Sequence, residues 1–198
     1  MSRTKEQNEK MRLITKEKIL SAAIYLFSEK GFTATNIMEI AKRAEISVGL
    51  IYNHYRTKIG IYEGLVQEAI KYLTEEREML FFDASPLEII TRFTDDITNE
   101  MARNDEFSRY MLILFQPLIA QKTFEWLNDF YSYSTKFLED FARLIESGQQ
   151  KGIFKAGDPQ AMTQFYIASM HGLCSLQLSL KEKFRAPTTE MMISFLIK

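Results

Sequence analysis

The chain has 198 residues, 46% of them hydrophobic and 26% charged, with only four prolines and eight glycines. This composition supports a packed core and helical structure, and it excludes wholesale disorder. The net charge of −1 is unevenly shared, because residues 1–60 hold 11 Lys/Arg against 6 Asp/Glu while residues 61–198 hold 14 against 20, and a basic front on an acidic body points the first segment at a polyanion.

The single cysteine, Cys174, excludes an internal disulfide and a cysteine-built zinc cluster and fits a reducing compartment. The N-terminal "MSRTKEQNEKMRLITKEK" lacks the apolar stretch of a signal peptide. No apolar run approaches the roughly 20 residues of a membrane helix. A cytoplasmic protein without a membrane partner is therefore expected.

Ile19, Ala22, Ala23, Leu26 and Phe27 recur at helical spacing. They predict a first helix that starts between Lys10 and Thr15 and stops at Gly31. Asn36 followed three residues later by Glu39 predicts a capping box. It opens a second helix with Ile37, Ile40, Ala41 and Ala44 buried. "AEIS" reads as a tight turn, after which Ser47 caps a third helix from Val48 to about Tyr55. Arg56 or Thr57 opens a long helix to about Leu80, with Ile61, Leu65, Ala69 and Leu73 on one face.

Pro86 suits the first turn of the next helix. "DEFSRYMLILFQ" begins another, which Pro117 breaks or bends. A long helix follows from Lys122 to about Gln150. The glycine-rich "SGQQKGIFKAGDP" is a loop with one possible extended turn. Asp158 and Pro159 open a helix to about Leu180, and Thr189 to Lys198 form the last one. The expected fold class is all-α: a three-helix head over residues 1–57 and a larger helical ligand-binding and dimerisation domain over residues 58–198.

Two short helices joined by a four-residue turn describe a helix-turn-helix. Ile46, Leu50, Ile51 and Tyr55 are expected to anchor the third helix. Its other face is then free for a major groove. Gly49 keeps that face flat, and Tyr52, Asn53 and His54 supply hydrogen-bonding groups of medium reach. Lys58 can pair with a phosphate, as can Thr35 and Asn36 at a helix start.

The segment "GFTATNIMEIAKRAEISVGLIYNHYRTK", Gly31 to Lys58, resembles the DNA-binding signature of the TetR family of transcriptional regulators. The resemblance extends upstream through "ILSAAIYLFSEKGF" and is strongest over Ile19–Lys58. It implies a homodimer that presents the third helix of each subunit to a palindromic operator in double-stranded DNA, and a C-terminal domain that holds a small-molecule effector. By position it places Ser47, Val48, Gly49, Tyr52, Asn53, His54 and Lys58 at the DNA. Glu45 stands where the family commonly has glycine in the turn, which costs about 1 kcal/mol if the backbone there is left-handed.

The second half is rich in aromatics between Phe107 and Phe137, with methionines at 101, 111, 162 and 170. Core packing explains most of them. An apolar pocket is the sharper reading, with Met101, Tyr110, Leu114, Phe115, Trp126, Phe130, Phe165, Ser169 and Cys174 as candidate lining. Aromatics outnumber cations there, which favours a neutral or cationic apolar ligand over a polyanion. Gly172, Leu173, Leu176, Leu180, Met192 and Phe195 are candidates for a helical dimer interface.

His171 and Cys174 lie one turn apart, but a metal site lacks its third and fourth ligands, so no metal or cofactor is expected. The two histidines are far apart, and neither a phosphate loop nor a nucleophile elbow occurs. An enzyme is not expected. The leading function is a sequence-specific transcriptional regulator, a repressor released from DNA by a small apolar ligand. The alternative is a small-molecule carrier or enzyme with an all-helical apolar pocket, which would not need the basic head. Repression and activation look alike at this level.

Overall fold

The computed structural model describes residues 5–115 and 125–198, apart from the side chains of Phe115, Glu125 and Trp126. Helix α1 (Lys5–Ala34) starts ahead of the expected position, since its first residues are good helix formers without an apolar stripe. Gly31 breaks it as expected, at φ 82° and ψ 160°, and one further turn follows.

Helix α2 (Ile37–Arg43) carries the Asn36–Glu39 capping box, and α3 (Val48–His54) is capped by the Ser47 side chain. Thr57 caps α4 (Lys58–Met79), and Ser85 with Glu88 boxes α5 (Pro86–Arg103), which has Pro86 in its first turn. Helices α6 (Glu106–Phe115) and α7 (Glu125–Gln150) follow. Asp158 caps α8 (Pro159–Leu180), which runs into a 3-10 turn at Lys181–Lys183. Pro117 and the expected start of α7 at Lys122 lie outside the described residues.

The last helix is shorter than expected: α9 spans Thr189–Ile193 only. The chain then turns back to the loop after α7. Phe154 and Ile197 form an antiparallel bridge, and the Lys155 amide donates to the Leu196 carbonyl at 2.7 Å. This pairing buries Leu196, which a continued helix would carry elsewhere. Gly148 makes the loop possible, because a Cβ there would sit 2.1 Å from the Phe154 ring. Among the described residues this bridge is the only β pairing, and no helix is long and apolar enough to cross a membrane.

Two cores form. One joins α1, α2 and α3 through Ile19, Phe27, Ile40 and Ile51, and it continues into Ile61 and Leu65 of α4, Ile113 of α6 and Phe130 of α7. The other packs α5, α7 and α8 around Phe93, Phe141 and Tyr166, with the Phe141 and Tyr166 rings stacked at 5.1 Å. The Tyr166 hydroxyl pairs with Thr94 at 2.8 Å. Leu73 packs against both cores. The head is therefore not closed by its own three helices; α4, α6 and α7 complete it.

Candidate nucleic-acid interface and ligand cavity

Helix α3 is held by Ile51, fully buried, with Ile46, Val48 and Tyr55 packed beside it. Ser47, Gly49, Tyr52 and Asn53 face solvent, Tyr52 at 50% exposure. Asn36 is exposed at the start of α2. These five residues form one accessible polar surface around the turn. Val48 is partly buried and adds apolar support at its edge. Glu45 adopts φ 55°, so the turn does require the left-handed conformation, and its carboxylate is exposed.

Two of the expected phosphate contacts are engaged inside the protein. Thr35 is buried, and its hydroxyl donates to the Gly31 carbonyl at 2.9 Å and the Leu26 carbonyl at 3.3 Å. Lys58 donates to the carbonyls of Phe32 at 2.7 Å, Thr33 at 3.2 Å and Thr35 at 2.7 Å, and its ammonium lies 4.4 Å from the Phe32 ring centre. The lysine therefore satisfies carbonyls that Gly31 leaves open at the end of α1. Desolvation pulls its pKa below the ordinary lysine value. His54 is partly buried, and burial, then the charge of Arg12, lowers its pKa.

Tyr55 couples α3 to α4. A Cβ on Gly64 would meet the Tyr55 hydroxyl at 2.8 Å and its ring at 2.9 Å. The hydroxyl is buried without a hydrogen-bond partner, and desolvation pushes its pKa up to about 12.

Behind the head, a cavity of about 360 Å³ opens between α4, α5, α6 and α7. Of the candidate lining residues it brings together Tyr110, Leu114 and Phe130, and it adds Tyr72, Phe107 and Met111. An inner recess of about 70 Å³, between α4, α5, α6, α7 and α8, shares Tyr72, Leu73, Phe107 and Met111 with it. Met101 and Cys174 instead sit in the packed body core, Phe165 is 57% exposed, and Ser169 donates its hydroxyl to the Phe165 carbonyl. The side chains of Phe115 and Trp126 lie outside the described residues. Tyr72 and Glu76 were hidden in the sequence, since a buried Glu has no periodic signature.

Helix α6 lies between cavity and head. Phe107, Tyr110, Met111 and Leu114 face the cavity. Arg109, buried, turns the other way, to Ser28 and Glu29 of α1, each at 2.7 Å, and lies 4.3 Å from the Tyr25 ring centre. The Tyr110 hydroxyl donates to the Leu65 carbonyl, and the Tyr62 hydroxyl to the Ile113 carbonyl at 3.2 Å.

On α8, Gly172, Leu176 and Leu180 are exposed, while Leu173 packs partly against the core. Met192 is turned into the core, since the short α9 must bury one methionine, and Met191 faces out at 68% exposure. Phe195 is partly buried, edge to face with Phe165 at 4.8 Å. Among the described residues no three His, Cys, Asp or Glu side chains converge as metal ligands.

Residues 19–65 match the family described as "Bacterial regulatory proteins, tetR family". Over 58 residues the chain is 43% identical to the probable HTH-type transcriptional regulator YttP of Bacillus subtilis, covering 29% of this chain and 28% of that protein. It is 26% identical over 156 residues to the HTH-type transcriptional repressor NicS of Pseudomonas putida, covering 77% of this chain and 71% of that one. The MbdR regulator of Azoarcus sp. CIB has the same fold, with a TM-score of 0.76 at 22% identity over 93% of this chain and 97% of that one. The chain spans less than half the length of the first curated relatives it matches. The head built on this helix-turn-helix thus matches the tetR family of bacterial regulatory proteins over residues 19–65, and the chain as a whole shares its all-helical fold with the MbdR regulator.

Proposed function

We propose that the protein is a sequence-specific DNA-binding regulator of transcription, a repressor that leaves its operator when a small apolar ligand enters the cavity. One observation carries this reading: α6 lines the cavity with one face and, through Arg109 on the other, holds α1 of the head. A ligand that favours a different α6 position shifts the head with it. Residues 1–57 act as the DNA-binding unit and residues 58–198 as the ligand-binding and pairing unit.

The exposed apolar residues Phe165, Leu176, Leu180 and Met191 support pairing of two subunits. Two heads about 34–36 Å apart enter successive major grooves of a palindrome. The surface offered to the bases is Ser47, Gly49, Tyr52 and Asn53, with His54 at its edge.

The test is selection of a DNA site from random duplexes, followed by mobility shifts across a salt series and light scattering of the free protein. A dimer that binds a palindrome is expected. Tyr52→Ala with Asn53→Ala should weaken binding at least tenfold while leaving the melting temperature unchanged. A monomer that ignores every duplex would overturn the proposal.

A further inference from the structure

The cavity's chemistry narrows the class of ligand. Four glutamates line it, Glu68, Glu100 and Glu106 in the outer chamber and Glu76 in the inner recess. Among the described lining residues there is no Lys, Arg or His. Surface carboxylates at a rim are ordinary. The recess is not, because two of its polar atoms are buried without a hydrogen-bond partner: Glu76 Oε2 and Ser134 Oγ.

Glu76 is 9% exposed and comes from the last turn of α4, and Ser134 comes from α7. The walls between them are Tyr72, Phe93, Phe107 and Met111. Burying a carboxylate oxygen without a partner is costly. Such orphaned groups call for an occupant that supplies what they lack. Here that means N–H donors and a positive charge, in a space of about 70 Å³ that suits a small polar head and no more. The outer chamber, about 360 Å³ and walled by aromatics, suits an apolar tail.

We propose that the cavity binds a protonated alkylamine or arylalkylamine, with the ammonium on Glu76 and Ser134 and the apolar body in the outer chamber. The aromatic walls add to the attraction for a cation. Burial, then the charges of Asp96 and Glu75, holds the Glu76 carboxyl above the ordinary range, while a hydrogen bond from Tyr72 works against this. An entering ammonium stabilises the ionised carboxylate. A carboxylate ligand meets Glu76 unpaired and is repelled.

This inference rests on the cavity being an effector site. The experiment is calorimetric titration of the full chain with 4-phenylbutylamine, 4-phenylbutanol and 4-phenylbutyrate. The amine should bind at least tenfold tighter than the alcohol, and the carboxylate weakest of the three. Glu76→Gln should cut amine affinity at least tenfold, leave the alcohol within twofold and keep or raise the melting temperature. Ser134→Ala should weaken the amine about threefold while leaving the alcohol alone; together with the ligand series on the native chain, this variant keeps the test decisive if Glu76→Gln folds poorly. An alcohol or carboxylate that matches the amine overturns the proposal, as does unchanged amine binding by Glu76→Gln, or no binding by any of the three. A parallel mobility shift on the selected DNA separates the two ideas. Release of DNA by the alcohol without amine preference keeps the regulator and removes the cation. Tight amine binding without DNA release keeps the cation and removes the regulator.

Discussion

Arg109 of α6 donates through Nη1 to the Glu29 carboxylate of α1 at 2.7 Å, and this pair fixes α6 of the body to the first helix of the head. The guanidinium also meets Asp105 at 2.8 Å and Ser28 at 2.7 Å, while its Nε has no partner. Arg109→Ala is expected to cost about 2 kcal/mol, because charged hydrogen bonds are lost while the carboxylates left behind can reach water. A fall in melting temperature of about 4–8 °C checks this. The variant should also lose part of the ligand's effect on DNA binding. Full retention of both would contradict the role of α6 as a connector.

Lys58→Ala leaves the carbonyls of Phe32, Thr33 and Thr35 without their shared donor. A loss of about 1–2 kcal/mol in urea unfolding is expected. If Lys58 serves a phosphate alone, stability would stay unchanged and only DNA affinity would fall.

Gly64→Ala forces the Tyr55 ring aside, since the new methyl would sit 2.8–2.9 Å from it. Overpacking of about 1–3 kcal/mol opposes the helix-propensity gain of about 1 kcal/mol. DNA affinity should drop more than stability, because Tyr55 ends the reading helix. Tyr55→Phe should be neutral or stabilising by up to about 1 kcal/mol, since the hydroxyl it removes is buried and unpaired. A destabilised Tyr55→Phe would show that the hydroxyl has a partner.

His54 gives opposite pH signatures for folding and binding. Its pKa in the folded protein lies below the ordinary value because of burial, then Arg12. Its contribution to stability is therefore present above the unfolded value of about 6.5 and is lost as pH falls from there through the lower folded value. A nearby phosphate favours the protonated ring, so DNA affinity should rise several-fold as pH falls from about 7.5 to about 5.5. Fluorescence anisotropy at constant ionic strength, with His54→Gln as reference, reads the effect. Identical slopes for the two proteins would remove His54 from the interface.

Local chemistry made the head readable from its residues. Asn36 with Glu39, Ser47 and Thr57 each name a helix start within three residues of themselves, and Gly31 names a break. Asp158 and Pro159 do the same for α8. What depends on distant packing was not readable in this way. Lys58 sits 26 residues from Phe32, and only the folded corner shows that its ammonium turns inward. Glu76 is one charged residue among several on α4 until α5 and α7 close over it. Met191 and Met192 are equivalent in composition, and only the abrupt end of α9 at Ile193 decides which one is buried.

The inward commitment of Lys58 has a kinetic corollary. Arg43, another cation of the basic head, lies over Tyr25 at 3.2 Å from the ring centre. Cations held this way add little to what the exposed Lys5, Lys10, Arg12, Lys18, Lys42 and Arg56 can offer to phosphates, so under the proposed function the rate of landing on random duplex and its salt dependence should be set by these residues and not by Lys58.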